Sequence, residues 1–326
     1  MRQGLNEVLA AVSRSFYLTI CVLPSALREP IGLAYLLARL SDTVADSAGA
    51  PSQLRLGALG QMREALRGCG RMPDFAEISA GIPDPSERIL LAKAEALFEL
   101  LEATDPNEQA EIVWVLEEIL RGQILDLERF AEGGPRIRSL ATAQELEDYT
   151  YSVAGCVGEF WTRICSRHLR NYAPVIEPDR LLKLGAAFGK GLQLVNILRD
   201  APADMANGRC YFPMEEMEGI SPEAWRTAPA LARSVHDRWM MRAREQLDEG
   251  LQYIEAVRPW RLRLACFLPW ALGVRTLHLM AQCRPLEAGG RLKVSRKQVR
   301  WLFLLGVFGS LGNFALRHAV ACVRKA

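Results

Sequence analysis

The chain has little of what most metal and cofactor enzymes carry. Four histidines (His168, His236, His278 and His318) are scattered over 326 residues, and no H-E-x-x-H occurs. The eight cysteines include no C-x-x-C pair, so neither a zinc-site spacing nor a disulfide framework is present; they read as reduced, mostly buried thiols. There is no G-x-G-x-x-G, which rules out a Rossmann dinucleotide site. Neither sign of charge dominates: 40 basic and 38 acidic residues leave +2, unlike the strongly basic balance of a nucleic-acid binder. β-branched alternation is nearly missing, and no stretch reads as a hairpin. From Met1 to Glu7 no apolar run develops, so no secretory signal is expected and the protein is read as cytoplasmic. No segment reads as a bilayer span, which needs about 20 predominantly apolar residues. The nearest approach, Leu302 to Leu316, is fifteen residues interrupted by Ser310 and Asn313. It is expected to be a buried terminal helix; the other reading is a monotopic contact with a membrane surface.

What is present is helical periodicity. Ile112, Leu116, Ile119, Leu120, Leu127 and Phe130 recur mostly by threes and fours, and 181–198 and 239–257 behave alike. Breakers separate the blocks at Gly81-Ile82-Pro83-Asp84-Pro85, Gly133-Gly134-Pro135 and Gly289-Gly290. Half of the residues are hydrophobic, enough for a sizeable core. With no internal repeat and no linker, the expectation is one all-α domain over 1–326, of about ten helices.

Acids at helical spacing are the informative residues. Asp42 and Asp46 are i, i+4, and so are Asp200 and Asp204. Each pair puts two carboxylates one turn apart on one face, where they repel unless a cation lies between them. Hard oxygen ligands of this kind suit Mg²⁺. Tyr35, Arg39, Asp42 and Asp46 form one stripe; Gln193, Asn196, Asp200 and Asp204 form another. Both stripes interrupt otherwise apolar helices, and such a stripe must face water, a partner or a ligand. For either pair alone, a solvated helix face is the simpler account. The two together point to a site.

At this point the sequence resembles the squalene and phytoene synthase family, the head-to-head trans-isoprenyl diphosphate synthases. Ser13-Arg14-Ser15-Phe16-Tyr17 resembles the family's N-terminal element. Arg39 with Asp42-Thr43-Val44-Ala45-Asp46 resembles the first aspartate motif, and Gln193 to Asp204 the second. Tyr149 to Gly158 resembles the Y-x-x-x-V-A-G-x-V-G signature, and Gly208 to Pro213 the G-R-x-Y-x-P block. Gly122 to Leu127 and Arg291 to Lys297 are weaker echoes.

The resemblance implies a helical bundle around a central apolar cavity, with the two motifs facing each other across its mouth. It implies Mg²⁺ on Asp42, Asp46, Asn196, Asp200 and Asp204. Prenyl diphosphates (farnesyl or geranylgeranyl) would meet Ser13, Phe16, Tyr35, Arg39, Gln193, Asn196, Arg199 and Arg209. Tyr149 would assist the first half-reaction by steadying a cation or moving a proton, although as part of a Tyr149, Val153, Cys156, Phe160 stripe it also reads as core. Gly155, Gly158, Gly189 and Gly191 serve helix packing or substrate approach. Cys156 and Cys210 read as structural thiols. Pro202 lies between the acids of the second motif, and proline in a helix kinks or ends it, so Asp204 is expected to be displaced. The extra acid and the C-terminal anchor of eukaryotic relatives are lacking, which makes the resemblance bacterial-type.

The implied activity is joining of two farnesyl diphosphates through presqualene diphosphate to squalene, with NADPH as reductant, in sterol, hopanoid or carotenoid synthesis. The alternatives are a phytoene or dehydrosqualene synthase without reduction, or a presqualene diphosphate or hydroxysqualene synthase of a hopanoid pathway. From another class, a non-catalytic relative would be expected to lose its metal ligands, and both acid pairs are intact. Lys293, Arg296 and Lys297 are the candidates for the NADPH phosphate, a solvated basic turn being the plainer account. No nucleic acid is expected as partner. The chain is expected to be a monomer or weak dimer, cytoplasmic, with peripheral contact at the inner face of the cell membrane for product release.

Overall fold

The computed structural model describes residues 3–12, 14–130, 137–217, 221–227, 229–283 and 292–325. They are all-α, with sixteen α-helices among the described residues where periodicity suggested about ten. The excess comes from short helices that the breakers delimit. At one breaker Asp84 caps a helix, its carboxylate accepting from the Ser86 N–H at 2.8 Å, with Pro85 at the first helical position.

Packing divides the described residues into two compact units: those within 1–131 and 163–170, and those within 132–162 and 171–326. The first holds α1 (Gln3–Val12), α2 (Arg14–Val22), α3 (Ser25–Ala45), α4 (Ser52–Leu66), α5 (Ala76–Ala80), α6 (Pro85–Ala92), α7 (Ala94–Glu102) and α8 (Pro106–Phe130). α3 is its centre, packed by α4, α7 and α8. Leu36, Leu37, Leu40 and Val44 of α3 are buried with Ile112, Leu116 and Leu120 of α8 and Leu59 and Met62 of α4. Each such side chain contributes about 1.5–3 kcal/mol on leaving water. One pocket of this unit, about 810 Å³, is lined by Phe75 and Phe98 among others and by none of the motif residues.

The second unit begins with α9 (Ala143–Thr150), a π-helical turn (Tyr151–Gly155) and the start of α10 (Cys156–His168). It continues through α11 (Pro178–Ala206), α12 (Pro222–Thr227), α13 (Pro229–Ala256), α14 (Trp260–Cys283), α15 (Arg296–Ser310) and α16 (Asn313–Lys325). α11 lies against α13, α14 and the π turn. Against the π turn and the start of α10 it approaches backbone to backbone: a Cβ at Gly158 would sit 1.9 Å from the Gly185 carbonyl oxygen, and one at Gly189 2.1 Å from that of Ala154. Of the two accounts open for these glycines, packing is the one the geometry carries at Gly158 and Gly189.

Three expectations are corrected. Pro202 does not end its helix; α11 runs through it to Ala206, and Asp204 stays helical. The carbonyl four residues before the proline, that of Leu198, lacks the N–H that Pro202 cannot supply, and the buried His236 of α13 interacts with the Leu198 backbone. Next, 302–316 is not one buried helix. It breaks after Ser310, and within α15 only Leu302, Gly306, Gly309 and Ser310 are buried. Finally, α11 and α14 are long and apolar enough to span a membrane by length and composition, although none was expected; the windows concerned are 50% and 56% buried in this fold.

Candidate active site

Between 31 and 42 the positions of α3 that are not fully buried are Tyr35, Ala38, Arg39 and Asp42. The stripe read from spacing is therefore the face that the core leaves uncovered. Asp46 lies just past the helix as its C-cap, with its N–H on the Asp42 carbonyl at 2.8 Å. Both acids thus sit at the negative end of the helix dipole, an unfavourable place for carboxylates without a cation. Burial pushes the Asp42 carboxyl up to about 6; the Asp46 charge adds to this, and Arg39 and a hydrogen bond from Gln123 oppose it.

That hydrogen bond runs from Gln123 Nε2 on α8 to Asp42 Oδ1, at 2.5 Å. Gln123 Oε1 is buried with no partner. Arg39 is engaged by Glu87 at 2.6 Å. Gln123 was not among the candidates, although the Gly122–Leu127 echo contained the signal. The half-buried Asp42 carboxyl, the neighbouring Asp46 and the unsatisfied amide oxygen of Gln123 are hard oxygen donors of the kind that suits Mg²⁺.

On α11, Asn196 is exposed, and Gln193, Arg199, Asp200 and Asp204 are half-buried. The Arg199 fork closes on its neighbour, Nε to Asp200 Oδ1 at 2.9 Å and Nη2 to Oδ2 at 2.5 Å. Among the described residues no group of three or more His, Cys, Asp or Glu is placed to hold a metal. The acids come in pairs, and a cation on a pair draws its other ligands from water or substrate phosphate.

After α11 the chain turns at Gly208, whose φ of +80° suits glycine. Arg209–Cys210 then pairs in parallel with Arg138–Ser139, the one strand pairing among the described residues. This positions the half-buried Arg209 and carries Tyr211 to Tyr149. The two rings stack with centroids 5.0 Å apart, and the Tyr149 hydroxyl lies 3.4 Å from that of Tyr211. Two motifs that were separate in sequence thus meet, and Tyr211 joins the candidates. Tyr149 lies two residues before the π turn, a local geometry often found at functional sites. Burial pushes the Cys210 thiol up to about 11, consistent with a structural role.

Behind Tyr149, Glu147 of α9 is bound by Lys190 and by Arg242 Nε at 2.8 Å. Burial raises its pKa, but hydrogen bonds from Arg242 and Lys190 outweigh this and hold the carboxyl below its ordinary value of 4.5. The stability it contributes is present above that value and lost as pH falls through the lower, folded value. Glu147→Gln is expected to cost about 2 kcal/mol at pH 7, because two cations lose their shared partner. The cost should shrink on acidification. Urea unfolding at pH 7 and pH 3 checks this; an equal cost at both would refute the ion-cluster account.

Ser13 lies outside the described residues, as does the side chain of Phe16, whose backbone belongs to α2. Lys293, Arg296 and Lys297 are exposed around the start of α15, which a Ser295–Gln298 capping box opens.

Residues 9–298 match the profile of the family described as squalene/phytoene synthase. The chain belongs to that family. Among its relatives, squalene synthase ERG9 of Saccharomyces cerevisiae (strain ATCC 204508 / S288c) is 23% identical over 91% of this chain and 65% of its own length. The 15-cis-phytoene synthase of Synechocystis sp. (strain ATCC 27184 / PCC 6803 / Kazusa) is 27% identical over 77% of this chain and 66% of its own. The chain spans between 35% and 66% of the length of the first curated relatives it matches. The structure of TcSQS in complex with BPH1237 shares the fold at a TM-score of 0.77, with 21% identity, covering 98% of this chain and 90% of that one.

Proposed function

We propose that this chain is a head-to-head prenyl synthase that joins two farnesyl diphosphates through presqualene diphosphate and yields squalene when NADPH is present. The observation that carries the proposal is the Asp42–Asp46–Gln123 constellation: a carboxyl raised by burial beside a second carboxylate and an orphaned amide oxygen, in a member of this family. Mg²⁺ bound there and at Asp200/Asp204 would neutralise the charge of departing diphosphate. The remaining work falls to the chain's own groups. Arg199 and Arg209 would offer forked donors to phosphate oxygens; both are engaged within the protein, Arg199 by Asp200, and each would have to exchange that contact for phosphate. Tyr149 presents a π face and a hydroxyl, and the Tyr211 hydroxyl 3.4 Å away can hold or pass its proton. Apolar surroundings would protect an allylic cation from water.

Reduction rests on the squalene synthase relatives. Lys293, Arg296 and Lys297 are exposed, which suits charge contact with a phosphate but does not by itself orient a nicotinamide. The second reading is a phytoene or dehydrosqualene synthase, or an enzyme stopping at presqualene diphosphate or hydroxysqualene, and the phytoene synthase relative favours its first form. The deciding assay is pure enzyme with farnesyl diphosphate and Mg²⁺, with and without NADPH, followed by lipid identification. Without NADPH, presqualene diphosphate should accumulate or leak to dehydrosqualene and alcohols, since a cation without hydride loses a proton or takes up water. With NADPH the output should become squalene. Products indifferent to NADPH move the assignment to the second reading. No product from farnesyl or geranylgeranyl diphosphate ends the condensation proposal.

A further inference from the structure

α15 is built inside out. Its buried face is Leu302, Gly306 and Gly309, with small residues where α14 approaches: a Cβ at Gly306 would lie 2.9 Å from Phe267 Cδ1. Its large side chains point away from the protein. Among the described residues fourteen large apolar side chains are exposed, and seven fall between 301 and 314, including Trp301, Phe303, Leu304, Phe308, Leu311 and Phe314. Leu304, Leu311 and Phe314 are 66%, 73% and 87% exposed, values usual for polar residues. Trp301 and Phe308, like Leu304 and Leu311, are seven residues apart, so they form one outward stripe that continues through the turn into α16. Scattered exposed apolar residues need no explanation, but a contiguous patch marks an interaction surface.

The charge around this patch identifies its partner. From 288 to 326 the sequence has eight Lys or Arg and no Asp or Glu. The formal charge of +2 is therefore a balance of +8 in this stretch against −6 in the rest. Lys297 and Arg300 precede Leu304 by seven and four residues, so they stand on the same outward face, nearer the helix start; both are exposed, as is Arg317 on α16. Arg324 is taken up by Asp248 of α13, but the stretch itself brings no acid, and an aromatic and aliphatic face flanked by Lys297, Arg300 and Arg317 is complementary to an anionic lipid surface. α15 has 15 residues, about 22 Å of helix, short of the ~30 Å hydrocarbon core, so it would lie in the interface and not cross it.

We propose that the outward face of α15 and the turn into α16 dock this protein on an anionic bilayer surface, with Trp301, Leu304, Phe308, Leu311 and Phe314 entering the headgroup–acyl boundary and the basic residues meeting lipid phosphates. The proposal is independent of which reaction is catalysed. The test is flotation of the full chain with vesicles of phosphatidylcholine alone or equimolar with phosphatidylglycerol, over a salt series. Wild type should float with the anionic vesicles and be released progressively by salt. The double substitution Leu304→Glu/Leu311→Glu should weaken binding about tenfold or more. It should keep the wild-type circular dichroism and melting temperature, because both residues are exposed. Arg300→Gln/Arg317→Gln should bind less tightly and with a shallower salt dependence. Failure of wild type to float with anionic vesicles, or wild-type binding by folded Leu304→Glu/Leu311→Glu, overturns the proposal. A concentration-dependent dimer that this double variant abolishes, without vesicle binding by wild type, would assign the face to a second copy of the chain.

Discussion

Asp42→Asn, Asp46→Asn, Asp200→Asn and Asp204→Asn are each expected to lower turnover of prenyl diphosphate by about 10³-fold at saturating Mg²⁺, since on the proposed function each would remove a ligand from the Mg²⁺ that neutralises the leaving diphosphate. Asp42→Asn has a second, opposite consequence. The folded-state pKa of Asp42, about 6, lies above its ordinary value of 3.8. The native state therefore holds a proton that the unfolded chain has lost, and stability falls as pH rises from about 4 to about 6. At pH 7 without metal the ionised, buried Asp42 is a liability, and asparagine removes it. Metal-free Asp42→Asn should melt at or above the wild-type temperature at pH 7 and lose part of the stability decline between pH 4 and 6. Mg²⁺ should stabilise wild type more than the variant, because a ligand that binds the native state shifts unfolding by mass action. Near-wild-type rates in all four variants would sink the metal-site reading. A large fall in the metal-free melting temperature of Asp42→Asn would instead show that the carboxylate is structural.

Gly158→Ala should be the most damaging methyl group added to this chain. Its Cβ would stand 1.9 Å from the carbonyl oxygen and 2.4 Å from the carbonyl carbon of Gly185, and both obstacles are backbone. Relief requires α10 and α11 to separate. A loss of about 3 kcal/mol or more is expected, at the upper end of overpacking costs. For a unit of this size that corresponds to a melting temperature lower by roughly 6–12 °C. Gly57→Ala is the control. Gly57 lies within α4 with nothing within 4 Å of an added Cβ, so alanine there should gain about 0.5–1 kcal/mol from helix propensity. If Gly158→Ala and Gly57→Ala shift stability alike, the close approach of the two helices is not as described. Because the strain acts on α11, activity should fall along with stability.

Much of the fold and site was legible without coordinates because helical order is local. The recurrence of apolar residues in 112–130 maps onto α8, and the two acid stripes occupy the incompletely covered faces of α3 and α11 because a spacing of 3.6 residues fixes which side chains share a face. The motif blocks alone carried the family. Tertiary structure decided what depends on residues far apart in the chain. Asp42 is raised through burial, and the amide that donates to it, Gln123, is 81 positions away. Tyr149 finds Tyr211 across 62 positions. Proline chemistry predicted a helix kinked or ended at Pro202; α11 runs on to Ala206, and the group that acts on the Leu198 backbone, His236, belongs to another helix. Hydropathy placed 302–316 inside, yet the glycines of α15 turn inward and its large side chains outward, because small residues allow the closest approach to Phe267 and Leu264. Periodicity states which residues share a face; what covers that face, and so what charge it can hold or what surface it can meet, is set by the packing of the other helices.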